Sequence, residues 1–446
     1  MTASSFLEIA EIPGAPGLSV YEHGWQSWSP SGTYPATATS PRPAFRARQV
    51  IGYRPEKRLP RTGFQAEGLL AVAPTGGGTV RVWYAPDPSR EVASIRARVV
   101  AGRLIVSADG AVGETEIEAS GMDAALARWA DEFARAQDIP PVISIPPVWC
   151  TWYHYFREVT AADVSENLEA AGGLGLPIGV VQVDDGFSDD VGDWLRTSAR
   201  FGRPLAAVAD EVRGTGRRAG IWTAPLLVGE RSRIRFEHPD WLVEGADAGR
   251  SWDQRLHVLD ITHPAAAEHL GTVFRSLSEW GFDYFKLDFL YAGALPGRRR
   301  QDASALDAYR ASLALVRDAV GPGATLLGCG APLLPSIGLV DAMRVGPDIA
   351  THYEPAPGRD ISAPSQRGAA QTVRARAFQH GRFWVNDPDC LIARPGMERR
   401  EEWAGVIERY GGLRASGDRL SALDGWGLET TRRLLTPSSP RALVSV

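Results

Sequence analysis

GFDYFKLDFLYAG, residues 281–293, reads as a buried strand interrupted by two charges. Phe282, Tyr284, Phe285, Leu287 and Phe289 suit a packed sheet; Lys286 and Asp288 do not. Side chains alternate along a strand, so these two face the same side and Leu287 faces the other. Burying charge is costly unless it is paired or used. A structural ion pair at a strand end would satisfy that rule. So would a pocket, because a lysine nearby keeps an aspartate ionised, and an oriented carboxylate in a partly dry site is a nucleophile.

The surroundings of this stretch favour a parallel sheet. From Val148 onward, short apolar runs alternate with helical segments. The strand candidates are VWCTWY (148–153), IGVVQVDD (178–185), GIWTAPLL (220–227), HVLDIT (257–262), FDYFKLDF (282–289), TLLGCG (325–330), AMRVGPD (342–348) and FWVNDPD (383–389). Helices are predicted from Thr160, with Asp163 closing a capping box, to Gly172–Gly173, and over 204–216, 264–281 and 302–321. Eight such strands alternating with helices predict a (β/α)8 TIM barrel over 148–396. A doubly wound open sheet is the rival, but no GxGxxG sits at a strand end to support it. Residues 1–121 are rich in Gly, Pro and period-two segments such as TVRVWYA (79–85), RLIVSAD (103–109) and ETEIEAS (114–120), and read as an N-terminal β-sandwich. Residues 122–147 read as a helical connector and proline-rich linker. Residues 397–446 read as a short C-terminal extension: a helix from Met397 to about Leu413, then a strand pair from ETTRRLLTP and RALVSV.

Composition narrows the function. The formal charge of −5 argues against nucleic-acid or anionic-membrane partners, which call for a basic face. No stretch has the length of a membrane span, and the N-terminus lacks the pattern of a signal peptide, so a cytoplasmic protein is expected. Three cysteines are too few and scattered for a disulfide framework or zinc cluster, and eight histidines form no HxH or HxxxH pair, so no metal is expected. Fourteen tryptophans are many, and flat apolar faces suit sugars and other ring-shaped ligands.

Polar residues collect at the C-terminal ends of the strands, where a barrel carries its active site. Asp348, after Pro347 and four residues beyond Arg344, is the candidate second acid. Glycoside hydrolysis uses two carboxyl groups astride the scissile bond, and a separation of about 5–5.5 Å gives retention of configuration. A cap or a salt bridge to Arg344 is the other use open to Asp348. Asp184 and Asp185 suit a helix cap, a metal ligand pair, which the lack of nearby histidines disfavours, or adjacent sugar hydroxyls. Cys329 reads as a small packing group of the pocket, and Asp387 and Asp389 read as structural. Trp25 and Trp28, in EHGWQSWS, suit a loop reaching over the barrel mouth, or else a sandwich-core pair.

In order, WCTWYHYFREVTAADVSENL, QVDDGF, GIWTAPLLV, HPDWLV, DYFKLDFLYAGALPG, LLGCGAPLLPSIGLVDAMRVGPD and NDPDC resemble the family 36 glycoside hydrolases, the bacterial α-galactosidases or melibiases. GWQSWS adds to the match, which spans about residues 20–395. The resemblance implies a retaining, cofactor-free glycosidase acting on small α-galactosides such as melibiose or raffinose. It makes Asp288 the nucleophile and Asp348 the acid/base. Asp184 and Asp185 would hold galactose hydroxyls; Trp152, Tyr153, Trp222, Lys286, Cys329 and Arg344 would line the sugar subsite; and a tryptophan of GWQSW, Trp25 or Trp28, would close it. Relatives with other sugars or acceptors, an α-N-acetylgalactosaminidase or a raffinose-synthase-like galactosyltransferase, remain alternatives, as does a non-catalytic sugar-binding barrel. Two departures stand out: KLD replaces the KWD of many relatives, and the outer regions are short for the family. A full C-terminal sheet is therefore not expected, and homo-oligomerisation, in which the family's N-terminal domain often takes part, stays open.

Overall fold

The computed structural model describes residues 6–43 and 46–436, with the side chains of 46–48 left aside. The N-terminal unit consists of two antiparallel sheets. One has four strands, in the order Leu7–Ile12, Arg103–Ala108, Ser94–Val100, Phe64–Glu67. The other has five, in the order Gly32–Pro35, Leu18–Glu22, Leu69–Pro74, Gly78–Tyr84, Gly113–Ala119. Period-two alternation turns Val20, Leu70, Val72 and Trp83 from one sheet, and Phe64, Ile95, Leu104 and Val106 from the other, into a shared core. The connector helix, Met122–Ala136, docks with Trp129 against Tyr84 on one side and Phe378 and Phe383 on the other. It joins the sandwich to the next unit by packing as well as by chain.

That unit is an eight-stranded parallel sheet curled into a barrel. Its strands are β1 (Val148–Cys150), β2 (Val180–Val183), β3 (Arg218–Thr223), β4 (Phe282–Leu287), β5 (Thr325–Gly328), β6 (Ala342–Arg344), β7 (Val385–Asp387) and β8 (Ala415–Ser416). Val148 pairs with Ala415, and Leu391, just past β7, bridges Ser416, so the ring closes. The Thr160–Asp163 capping box starts helix Ala161–Gly173 as expected; such a cap contributes about 1 kcal/mol. Helices Leu205–Gly214, Pro264–Glu279 and Ala305–Val320 also follow the sequence pattern.

Two expectations fail. HVLDIT is not a barrel strand: Gln254–Val258 pairs antiparallel with Leu227–Gly229 and Arg250–Ser251. Only a five-residue helix, Arg233–Glu237, and a three-residue 3-10 turn, Pro239–Trp241, lie in that interval, so the long helical crossover that a parallel partner requires is missing. Asp260 then breaks the run by accepting bonds from the Thr262 N–H and hydroxyl. ETTRRLL does not form a strand either. Asp424 caps helix Gly425–Leu435 by accepting from the Gly427 N–H at 2.8 Å, and Thr431, Leu434 and Leu435 are buried at helical spacing. RALVSV lies outside the described residues.

Candidate active site

The C-terminal ends of β2, β3 and β4 and the loop after β6 converge on a cavity of about 300 Å³, at the small end of ligand pockets, which span about 300–1,000 Å³. Of the residues singled out in the sequence, Asp184, Asp185, Trp152, Trp222, Lys286, Asp288, Asp348 and Trp28 line it. Asp288 follows β4 directly. One carboxylate oxygen accepts from Trp222 Nε1 at 2.9 Å and the other from the Phe289 N–H at 2.8 Å. Phe289 has φ 52 and ψ 31, a left-handed conformation that strains an aromatic residue by about 1–3 kcal/mol. The kink ends the strand where the carboxylate is presented.

Lys286 does not serve Asp288 as its direct partner. Its ammonium pairs with Asp184 at 2.9 Å. Burial pulls the lysine pKa down, but the charges of Asp184 and then Asp288 outweigh it, so the group stays well above the ordinary lysine value. Alternation along β4 puts Lys286 and Asp288 on one face, but the neighbouring strand decides which acid the ammonium reaches. Gln182 Nε2 donates to the same Asp184 oxygen at 2.6 Å. Asp185 accepts from Trp252 Nε1 at 2.7 Å. Burial raises the Asp185 pKa to about 6 against the pull of that hydrogen bond, with the charge of Asp184 adding to the rise.

Asp348 lies deep in the fold yet opens to the cavity, with 36% of its side chain accessible. Arg344 reaches it at 3.0 Å. Burial pushes its carboxyl up to about 7; Arg344 pulls it down, while Asp389 and Asp288 push it further up. Arg344 also pairs with Asp387 and Asp389, each at 3.0 Å, and so anchors three acids from beneath the cavity. Asp389 is further held by the Tyr153 hydroxyl and the Ile349 N–H. Tyr153 and Arg344 therefore stand behind the cavity wall. Cys329 is fully buried too, and desolvation followed by the Asp288 charge holds its thiol well above the ordinary range, so it is a neutral packing group.

The tryptophans of the GWQSWS loop part company. Trp28 lines the cavity, edge-on to Phe289 with ring centres 5.0 Å apart. Gly330 has φ 53, and a Cβ there would fall 2.8 Å from the Trp28 ring, so glycine is what lets that ring close the wall. Trp25 packs away from the cavity under the Arg54 guanidinium, 4.5 Å from its ring centre. Arg157, Ser251, Trp252, Asp253 and Phe289 also line the cavity and were not singled out in the sequence. Arg157 follows the WYHY turn that ends β1, which gave a positional hint. Trp252 lies in the irregular excursion after β3 and gave none. Among the described residues, no group of three His, Cys, Asp or Glu side chains is arranged to hold a metal ion, and no helix is long and apolar enough to cross a membrane.

Comparison with known proteins adds independent weight. Residues 143–316 match the family model described as Melibiase. Alpha-galactosidase 2 of Pediococcus pentosaceus is 28% identical over 160 residues, which are 34% of this chain and 22% of that protein. The chain thus aligns with only about a fifth of that curated relative. TtGalA, an α-galactosidase from Thermus thermophilus solved in complex with stachyose, is 28% identical and superposes with a TM-score of 0.81, covering 97% of this chain and 94% of that one. The GH36 α-galactosidase AgaA from Geobacillus stearothermophilus shares the fold at 13% identity, with a TM-score of 0.65 over 96% of this chain and 61% of that one. Residues 143–316 are thus similar to the Melibiase model, and the scaffold is similar, over nearly its whole length, to those of solved α-galactosidases.

Proposed function

We propose that the protein is a retaining glycoside hydrolase that releases terminal α-linked galactose from small α-galactosides of the melibiose and raffinose type. The observation that carries this reading is the pair Asp288 and Asp348, on one cavity in unlike environments. Asp288 is held by two N–H donors, Trp222 Nε1 and the Phe289 amide, which fix the orientation of a nucleophile at the cavity. Asp348 is pushed up to about 7, which keeps a proton on it near neutrality, as a general acid requires.

In the first step Asp288 attacks the anomeric carbon. The bond to the glycosidic oxygen breaks, and that oxygen leaves with the proton of Asp348. In the second step Asp348 takes a proton from water, whose oxygen attacks the same carbon and frees the Asp288 carboxylate. Two inversions give retention. Asp184 and Asp185 accept from sugar hydroxyls, and the ammonium of Lys286, already tied to Asp184, fixes the first of these acceptors. Trp28, Trp152 and Trp222 supply apolar walls. Tyr153, Cys329 and Arg344 support the subsite from behind, and Trp25 holds the loop that carries Trp28. The substrate is a small soluble oligosaccharide, in keeping with a cytoplasmic enzyme.

The test is hydrolysis of p-nitrophenyl α-galactoside by the purified protein, with product anomers followed by NMR. The expectation is α-galactose as the first product and loss of turnover by at least about a thousandfold in Asp288→Ala. Absence of hydrolysis in the wild type, or β-galactose as the first product, overturns the reading.

A further inference from the structure

The excursion after β3 carries a hairpin whose tip is unusual. Ser251 pairs with Gln254, leaving Trp252 and Asp253 as a two-residue connection. Both have positive φ, 50 and 57, the requirement of a type I′ turn. Such turns normally use Asn-Gly or Asp-Gly, because the left-handed region strains residues with a Cβ. A connection serving only to reverse the chain has no need of tryptophan there.

The tip is also fixed from outside. Gln254 Oε1 accepts from the Arg231 N–H at 3.0 Å, and the Arg231 guanidinium donates to the Trp252 carbonyl at 3.1 Å. Below the hairpin, the Tyr291 hydroxyl donates to the Ala248 carbonyl at 2.9 Å. Held in this way, the Trp252 ring stands 4.9 Å from Phe289 and 6.3 Å from Trp222, centre to centre, and its N–H meets Asp185.

We propose that Trp252 is a positioning and specificity residue of the sugar pocket: its N–H fixes Asp185 as a hydroxyl acceptor, and its ring face closes the cavity against the substrate. This rests on the glycosidase reading given above. Tryptophan suits the double task because it joins a large apolar body to one polar handle. The groups facing Asp185 are the Asp184 carboxylate, Arg157, the Gly186 N–H and Trp252. Loss of the Trp252 donor removes a contact that favours the ionised carboxyl. Asp185 then takes up its proton at higher pH, and the acceptor is lost sooner on acidification.

The experiment compares wild type, Trp252→Phe and Trp252→Gly by kcat and KM on p-nitrophenyl α-galactoside from about pH 5 to about pH 8, beside thermal unfolding and calorimetric titration with galactose. Trp252→Phe keeps a ring and loses the donor. It is expected to raise KM about tenfold with kcat within about threefold, and to move the acid limb of kcat/KM upward by about half a unit or more. Trp252→Gly relieves the strain at φ 50, so it should fold with an unchanged or higher Tm while losing galactose affinity further. A purely architectural tryptophan would instead lower Tm and leave the pH profile alone. An active wild type with KM, pH profile and galactose affinity unchanged in Trp252→Phe overturns this inference alone. A wild type that neither hydrolyses α-galactosides nor binds galactose overturns the glycosidase reading with it.

Discussion

Two aspartates that differ little in sequence differ in chemistry because of what surrounds them. Asp348 is driven up to about 7 by burial, and the protonated acid is the form that donates. Asp185 is driven up to about 6, and under the proposed function the ionised form is the one that would accept hydroxyls. The signs are opposite. Activity should rise as pH increases through about 6, where Asp185 loses its proton, and fall as pH passes about 7, where Asp348 loses its own. A kcat/KM profile on p-nitrophenyl α-galactoside checks this, and in Asp348→Asn the alkaline limb should vanish along with most of the activity towards natural galactosides. Much of this placement was legible in the chain. The charges of KLD stood out against an apolar strand, and Asp348 stood out after RVGP. The partnership of Lys286 with Asp184 was not legible, because it depends on which strand lies beside β4. Nor was Trp252, which meets Asp185 across 67 positions from the tip of an irregular excursion.

Strands long enough to show a period were readable, and the one that closes the barrel was not. β8 has two residues, Ala415 and Ser416, and no alternation can be seen in two positions. HVLDIT took its place in the sequence reading because it has the right composition; the absence of a crossover helix before it is the clue that counts. What holds β8 is polar. Asp418, fully buried, accepts from the Ala393 N–H at 2.6 Å and pairs with Arg394 at 2.8 Å, while its carbonyl accepts from Trp149 Nε1 at 2.8 Å. Asp418→Ala leaves Arg394 and a buried amide without their partner. It is expected to destabilise the protein by about 3 kcal/mol, read as a lowered urea midpoint in chemical unfolding. Asp418→Asn, which keeps one acceptor oxygen, should lose about half as much.

At the scale of the molecule, sandwich and barrel are joined through Arg376, which is fully buried and forms no ion pair with a carboxylate among the described residues. Its guanidinium donates to the carbonyls of Gln26, Ser27 and Ser29, to the Ser31 hydroxyl and to the Val345 carbonyl. Four of these acceptors lie on the loop that carries Trp28, and the fifth lies three residues before Asp348. Arg376→Lys keeps the charge but has three donors for five acceptors. It should cost about 2–3 kcal/mol in thermal or urea unfolding and raise KM more than it lowers kcat, since Trp28 loses its anchor while the two acids keep theirs. Composition announced two units; this junction was beyond its reach, because an arginine at the end of a helix does not show which carbonyls it will meet.

The pairing of β1 with β8 also bears on how the protein is made. The barrel's first strand leaves the ribosome well before its last, and until Ala415 and Ser416 follow, Val148 and Trp149 present an open sheet edge. Growth of the chain thus exposes a sticky border for most of barrel synthesis, and the ring snaps shut only once residues 415–416 have been made. Folding helpers that shield nascent chains would find their main work in that interval.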